Sequence, residues 1–174
     1  PWPKYRHDAQ NTGLSQYTGP DKPNVVWSRE LHSSSSAIMV TTAIVGRKNS
    51  IYMAVNDMAV NDTVFKLDED GNTVWTVGSG NFSGPMLVDD SEDIYIVGPD
   101  SRKFLRIDRM RNFTEVAKTD SPNEYFIDTN VAGRGFALLT DYDWTGGPSR
   151  LLSIGKDGIT DWSFSVDEFI ADLT

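Results

Sequence analysis

The sequence has no cysteine and only two histidines, His7 and His32. The first absence excludes disulfides, thiolate metal sites and cysteine nucleophiles, but it is silent on compartment, since many exported proteins lack cysteine. Neither histidine has a second histidine or a carboxylate at zinc-site spacing, so no zinc centre is expected. Basic residues are scarce, with 16 Lys and Arg against 25 Asp and Glu and a formal charge of −9. That balance opposes nonspecific nucleic-acid binding, which needs a basic footprint. It is too mild, and 39% hydrophobic residues too many, for a disordered chain. No apolar run approaches the ~20 residues of a membrane-spanning helix. No signal peptide is visible and the first residue is Pro1 rather than Met. The sequence therefore reads as a processed or excised chain from which any targeting segment has been removed.

What is present is strand-forming and repetitive. Five Trp, six Tyr and eight Phe suit pleated surfaces, where large rings pack across strands. One segment aligns three times without gaps: Phe65 to Trp75, Leu105 to Glu115, and Leu152 to Trp162. In the first and third copies an aliphatic residue (Leu67, Ile154) is followed by Gly four positions on and Trp eight positions on. The copies stand 40 residues apart (Leu67 to Ile107) and then 47 (Ile107 to Ile154). A unit of this length, built of short strands and turns, predicts a β-propeller blade of four antiparallel strands. The fold class read from the sequence is therefore all-β, with about three blades and a leading outer strand.

Residues 1–23 form an irregular opening segment, and 24–36 hold an outer strand (Asn24 to Glu30) and a connection. The outer strand is read from Asn24-Val25-Val26-Trp27-Ser28, which matches Asn72 to Thr76. Blades are expected over 37–78, 79–121 and 122–167, and Phe169 to Asp172 within 168–174 begins a further one. In the first blade the strands are Ala37–Val45, Ser50–Val55, Thr63–Asp68 and Asn72–Val77, the last two joined through Glu69-Asp70-Gly71. In the second they are Gly84–Val88, Asp93–Val97, Arg102–Asp108 and Phe113–Lys118. In the third they are Tyr125–Val131, Arg134–Thr140, Ser149–Ile154 and Ile159–Ser165. Rings close with ~4–8 blades, and three blades alone leave two apolar faces in water. The expectation is a partial propeller, completed by more of the same protein, by copies of it or by a partner.

The opening Trp2-Pro3-Lys4-Tyr5-Arg6-His7-Asp8-Ala9-Gln10-Asn11-Thr12-Gly13 resembles the start of exported pyrroloquinoline-quinone-like propellers of bacteria and archaea. The repeat is similar too: a Tyr-bearing inner strand, an aliphatic-x-aliphatic-Asp strand, an Asp-Gly turn, then Trp. The middle copy departs, with Arg111 and Glu115 at the Gly and Trp places. The resemblance implies an exported location (extracellular, cell-surface or periplasmic). It does not select one role, since such propellers include quinone-dependent dehydrogenases, assembly scaffolds and surface proteins. A WD-repeat propeller is the rival fold, but Asp143-Trp144 and Asp161-Trp162 run in the reverse order.

Candidate sites are few. The quinone enzymes that the chain resembles hold their cofactor with a vicinal disulfide, which a chain without cysteine cannot make, so no cofactor is expected. The acidic groups Asp57 with Asp62, Asp68-Glu69-Asp70, Asp89-Asp90 with Glu92 and Asp93, and Asp141 with Asp143 read as turn residues. None has calcium-loop spacing, which leaves a weak calcium site as the alternative. The doubled Ala54-Val55-Asn56-Asp57 and Ala59-Val60-Asn61-Asp62 lengthens one loop. His32 beside Ser33 to Ser36 has no nucleophile elbow, so no catalytic residue is assigned. Arg102, Lys103, Arg106, Arg109 and Arg111 form the basic cluster, read as a solvated face or as a surface for an anionic glycan or acidic protein. Asn61, Asn81 and Asn112 open glycosylation acceptor patterns. The functional expectation is a noncatalytic interaction or structural module. The alternatives are part of a quinone, sugar or polysaccharide-active enzyme, and a repeating subunit of a surface layer or filament.

Overall fold

The computed structural model describes residues 25–30, 38–57, 62–78, 82, 86–98, 101–119, 124–132, 135–142 and 149–166. Twelve strands are present in them. The first sheet is β1 (Ile38–Val45), β2 (Ile51–Asp57), β3 (Thr63–Leu67) and β4 (Thr73–Gly78). The second is β5 (Met86–Val88), β6 (Ile94–Val97), β7 (Lys103–Ile107) and β8 (Phe113–Lys118). The third is β9 (Glu124–Ala132), β10 (Gly135–Tyr142), β11 (Ser149–Gly155) and β12 (Thr160–Val166). Within each sheet the strands are antiparallel neighbours in chain order, and the three sheets do not close on one another through strand pairing. The all-β class and the four-strand units are as the repeat spacing predicts. The opening segment 1–23, Ser33 to Ser36 and the tail from Phe169 lie outside the described residues.

The leading segment stands apart from the three sheets. Residues 25–30 pair with no sheet. They are held instead by side chains against the hairpin between β3 and β4. The Trp27 indole N–H donates to the Glu69 carbonyl at 2.9 Å, and Arg29 donates to the Gly71 carbonyl at 2.8 Å.

The core follows the period of two along each strand. On one face of the second sheet, Met86, Val88, Ile94, Ile96, Leu105 and Ile107 pack with Ile44, Tyr52, Ala54 and Val64 of the first sheet. On its other face, Leu87, Tyr95, Val97, Phe104 and Val116 pack with Leu152 and Ile154 of the third. All four residues of β6 are buried, so this strand is apolar without alternation. β1 lies against β5 and β5 against β9, so the first strands of successive sheets meet. Burying one such side chain contributes roughly 1.5–3 kcal/mol. A surface ion pair contributes about 0–1 kcal/mol, so inter-sheet packing sets the arrangement and charges refine it.

The tight turns share one chemistry. Asp68 Oδ1 accepts the N–H groups of Asp70 and Asn72 at 3.1 and 2.7 Å. Asp108 does the same for Met110 and Asn112 at 2.8 and 2.9 Å. Asp89 does so for Ser91 and Asp93 at 2.8 and 3.0 Å. An aspartate that satisfies two backbone donors fixes a turn without a partner strand.

The outer hairpins also carry a bulge, and its place differs. In the first and third sheets the register skips Val74 and Asp161, immediately before Trp75 and Trp162. In the second it skips Val116, two places later in the aligned repeat. Trp75 therefore stands opposite Lys66, on the face toward the second sheet, whereas Glu115 stands opposite Leu105, on the face toward the first.

Candidate functional site

The described residues converge at two kinds of place: an ion-paired turn that ties the three sheets together, and uncovered sheet surface at the third sheet's outer strand. The turn is Asp89 to Asp93, between β5 and β6. Lys156, from the β11–β12 hairpin, reaches Asp89 Oδ2 at 2.6 Å. Lys66, on β3, reaches Glu92 at 3.0 Å with both side chains mostly buried. Arg47, after β1, reaches Asp90 at 2.8 Å in solvent. Arg106 reaches Asp93 Oδ2 at 2.6 Å, and the Arg109 Nε–H donates to the Ser91 carbonyl. One five-residue turn thus receives cations from all three sheets.

Titration behaviour follows from these contacts. Burial alone would raise the Asp89 carboxyl, but the Lys156 ammonium and the N–H groups of Asp93 and Ser91 outweigh it and hold it below the usual carboxylate range. Burial, with the Asp89 charge beside it, pushes the Tyr95 hydroxyl up to about 12. Burial also raises Tyr52, against the pull of Lys66. The Lys66 ammonium lies 5.1 Å from the Tyr52 ring centroid. Burial would lower Lys66, yet Tyr52 and Glu92 raise it on balance. Asp108 is lowered by the Asn112 amide and N–H, and Asp68 by the matching groups of Asn72. Each of these shifts has its cause in a turn or an inter-sheet contact.

The basic residues read from the sequence do not meet in one patch. Lys103 and Arg106 lie on opposite faces of β7, because strand residues an odd number apart point opposite ways. Lys103 pairs with Glu115 at 3.1 Å, and Arg106 with Asp93. Arg102 is half-buried, and its carbonyl accepts the Thr119 N–H at 3.0 Å. Arg109 and Arg111 are exposed at the β7–β8 turn. Of the acceptor asparagines, Asn61 and Asn81 lie outside the described residues. Asn112 is exposed, and its amide donates to Asp108 Oδ2 at 2.9 Å. Asn72 makes the same bond to Asp68 at 3.1 Å without an acceptor pattern around it, so the turn alone accounts for an asparagine there. Asp62 is buried and accepts the Phe82 N–H, which seats the Phe82 ring on Phe113 at 6.2 Å. Among the described residues, no three His, Asp or Glu side chains gather as metal ligands, and no helix is long and apolar enough to cross a membrane.

The uncovered surface is on β12, where Trp162 is 50% and Phe164 60% exposed. Trp162 stands opposite Ser153 and Phe164 opposite Leu151. They therefore lie on the face away from Leu152 and Ile154, which pack toward the second sheet. At the other end, Val25 and Val26 are exposed while Trp27 between them and Arg29 is docked. The Trp27 ring stands 2.7 Å from where a Cβ on Gly71 would be, so only glycine admits it. The sequence signalled the Trp–Gly spacing, but not that the pair is formed between separate segments. No protein-family model matches the sequence, and a search of curated proteins finds no match.

Proposed function

We propose that this chain is a noncatalytic β-propeller module, exported and acting as a protein-interaction or structural scaffold at the cell surface. Its three sheets serve as blades of a ring that further polypeptide completes. The observation that carries this reading is the contrast between the sheets: the second is covered on both faces, while the third leaves Trp162 and Phe164 in solvent. Exposed aromatic surface of that kind marks an interaction site. The turn at Asp89 to Asp93 supports a scaffold role, because its charges are engaged in holding sheets at a fixed relation. The exported location rests on the resemblance of the opening twelve residues alone.

The test is enzymatic as well as physical. Incubation with pyrroloquinoline quinone and calcium, with an electron-accepting dye and a panel of alcohols and sugars, is expected to give no dye reduction above a protein-free control. Turnover that depends on the protein overturns the scaffold reading. In a pull-down, protein retained by the parent chain and lost with Trp162→Ser is expected, and equal retention by both removes the uncovered face from this reading.

A further inference from the structure

We propose that the seam between the first and second sheets is a binding site for one internal water molecule, held between the Tyr52 hydroxyl and Glu92 Oε1. This goes beyond the scaffold reading and does not depend on it.

Two turns of equal length set the comparison. Tyr52 pairs with Ile44 and Tyr95 with Leu87, so Gly46 and Asp89 hold the same place after β1 and β5. Each closes its turn alike, its own N–H donating to the carbonyl four residues on, at Ser50 or at Asp93. Asp89 gives the Tyr95 hydroxyl an acceptor at 3.4 Å. Gly46 has no side chain to give, and the Tyr52 ring takes up the space, since a Cβ on Gly46 would stand 2.7 Å from it. Tyr52 is fully buried, and its hydroxyl meets no hydrogen-bond partner among the described residues.

A carboxylate still reaches this place, from the neighbouring sheet. Glu92, held in the left-handed region at φ +61°, sends Oε2 to the Lys66 ammonium at 3.0 Å. Lys66 stands opposite Tyr52 in the ladder, its ammonium 5.1 Å from the Tyr52 ring centroid. Glu92 Oε1 is buried and has no partner among the described residues either. Both unmatched oxygens thus belong to groups that contact Lys66. A buried polar atom left unpaired is costly, and folded proteins meet such atoms with ordered water.

The chemistry selects water over an ion. Lys66 and Glu92 balance each other, so a further charge here would be buried without a counterion. A carboxylate oxygen only accepts, whereas a phenol both donates and accepts. The occupant must donate to Glu92 Oε1 while pairing with the Tyr52 hydroxyl, and Lys66, with three donors, supplies a third partner. Two to four polar partners are what an internal water needs.

Oxygen-17 relaxation dispersion of the solvent counts waters held for longer than the protein takes to tumble. A chain of 174 residues holds on the order of six such waters, so the difference between two chains is the readout. Tyr52→Phe, which keeps the ring beside Gly46, is expected to lose one water relative to the parent. Tyr95→Phe is expected to lose none, because Asp89 meets that hydroxyl directly. A crystal structure of the parent should show one water bonded to both oxygens, and it decides the matter if Tyr52→Phe does not fold. A folded Tyr52→Phe that keeps every held water overturns the proposal, as does a matching loss in Tyr95→Phe. So does density at the site with the coordination shell of a cation, or a direct bond between the Tyr52 hydroxyl and Glu92.

Discussion

Replacing Gly158 and Gly71 with alanine separates two uses of the same backbone conformation. Both glycines are left-handed, at φ +81° and +80°. A Cβ there costs about 1–2 kcal/mol in either case. The surroundings differ. At Gly158 the new methyl runs into the Val116 carbonyl. That backbone belongs to β8, whose ladder to β7 would have to shift, adding about 1–3 kcal/mol of overpacking. At Gly71 the methyl meets the Trp27 ring, 2.7 Å away, on a segment paired with no sheet. That segment can lift away, at the expense of two hydrogen bonds contributing about 0.5–1.5 kcal/mol each. Summed, the expected loss is about 2–5 kcal/mol for either substitution, so the energies overlap and the place of the damage separates them. Urea unfolding gives the energies, and iodide quenching should show a newly accessible indole in Gly71→Ala alone. Arg111 is the control: its φ is +70° at the aligned place. Arg111→Gly relieves that strain against the entropy glycine brings, for a net gain of up to about 1 kcal/mol. A loss below ~2 kcal/mol for Gly158→Ala, or a newly accessible indole in Gly158→Ala and none in Gly71→Ala, would refute the reasoning.

Three further outcomes follow from the turn at Asp89. Asp89→Asn keeps an acceptor for the Ser91 and Asp93 N–H groups but removes the charge facing the half-exposed Lys156, and should cost about 1 kcal/mol in urea unfolding. Asp89→Ala loses the turn contacts as well and should cost about 2–3 kcal/mol in the same assay. On acidification, Asp89, Asp68 and Asp108 all have folded values below their ordinary ones. Their stabilisation is therefore complete above pH ~4 and is lost as pH falls through the folded values, a dependence that far-ultraviolet dichroism should show and Asp89→Asn should weaken. In alkali the sign reverses, because Tyr95 is raised to about 12. Its contribution is intact below pH ~10 and falls by about 2 kcal/mol as pH rises toward 12; thermal melts of Tyr95→Phe in that window should fall less steeply.

Much of the architecture was legible because turn chemistry is local. Asp68, Asp89 and Asp108 close their turns by bonds spanning two and four residues, so strand limits read from such turns fall within about two residues of those observed. The basic cluster was read less well, since adjacency in sequence is not adjacency on a strand: Lys103 and Arg106 turn to opposite faces. The tie at Asp89 to Asp93 was not legible at all. Its partners Lys66 and Lys156 are 26 and 67 residues away, and nothing local marks them. Residues 25–30 carried the right pattern for an outer strand, but pairing is decided by whether an edge is offered, which the segment's own sequence does not contain.

The departure at Glu115 in the middle copy of the repeat is the most instructive, because it has its cause in the strand register. Moving the bulge from the place of Val74 to Val116 reverses the face on which the eighth residue of the repeat points. A Trp at 115 would then point toward the first sheet instead of the third, and Glu115 pairs with Lys103 there instead. The shifted bulge also brings the Val116 carbonyl against Gly158, so the interface with the third sheet is made by backbone where the leading segment uses an indole ring. The Gly at the third hairpin is thus required even though the Trp that pairs with it in the repeat pattern is missing. Glu115→Trp alone is therefore expected to bring no gain in stability, because with Val116 still the skipped residue the ring stands opposite Leu105 on the face toward the first sheet and the Lys103 pair, contributing about 0–1 kcal/mol, is lost. Thermal melts decide it, and a marked rise in midpoint would show that the bulge does not set the face of this residue.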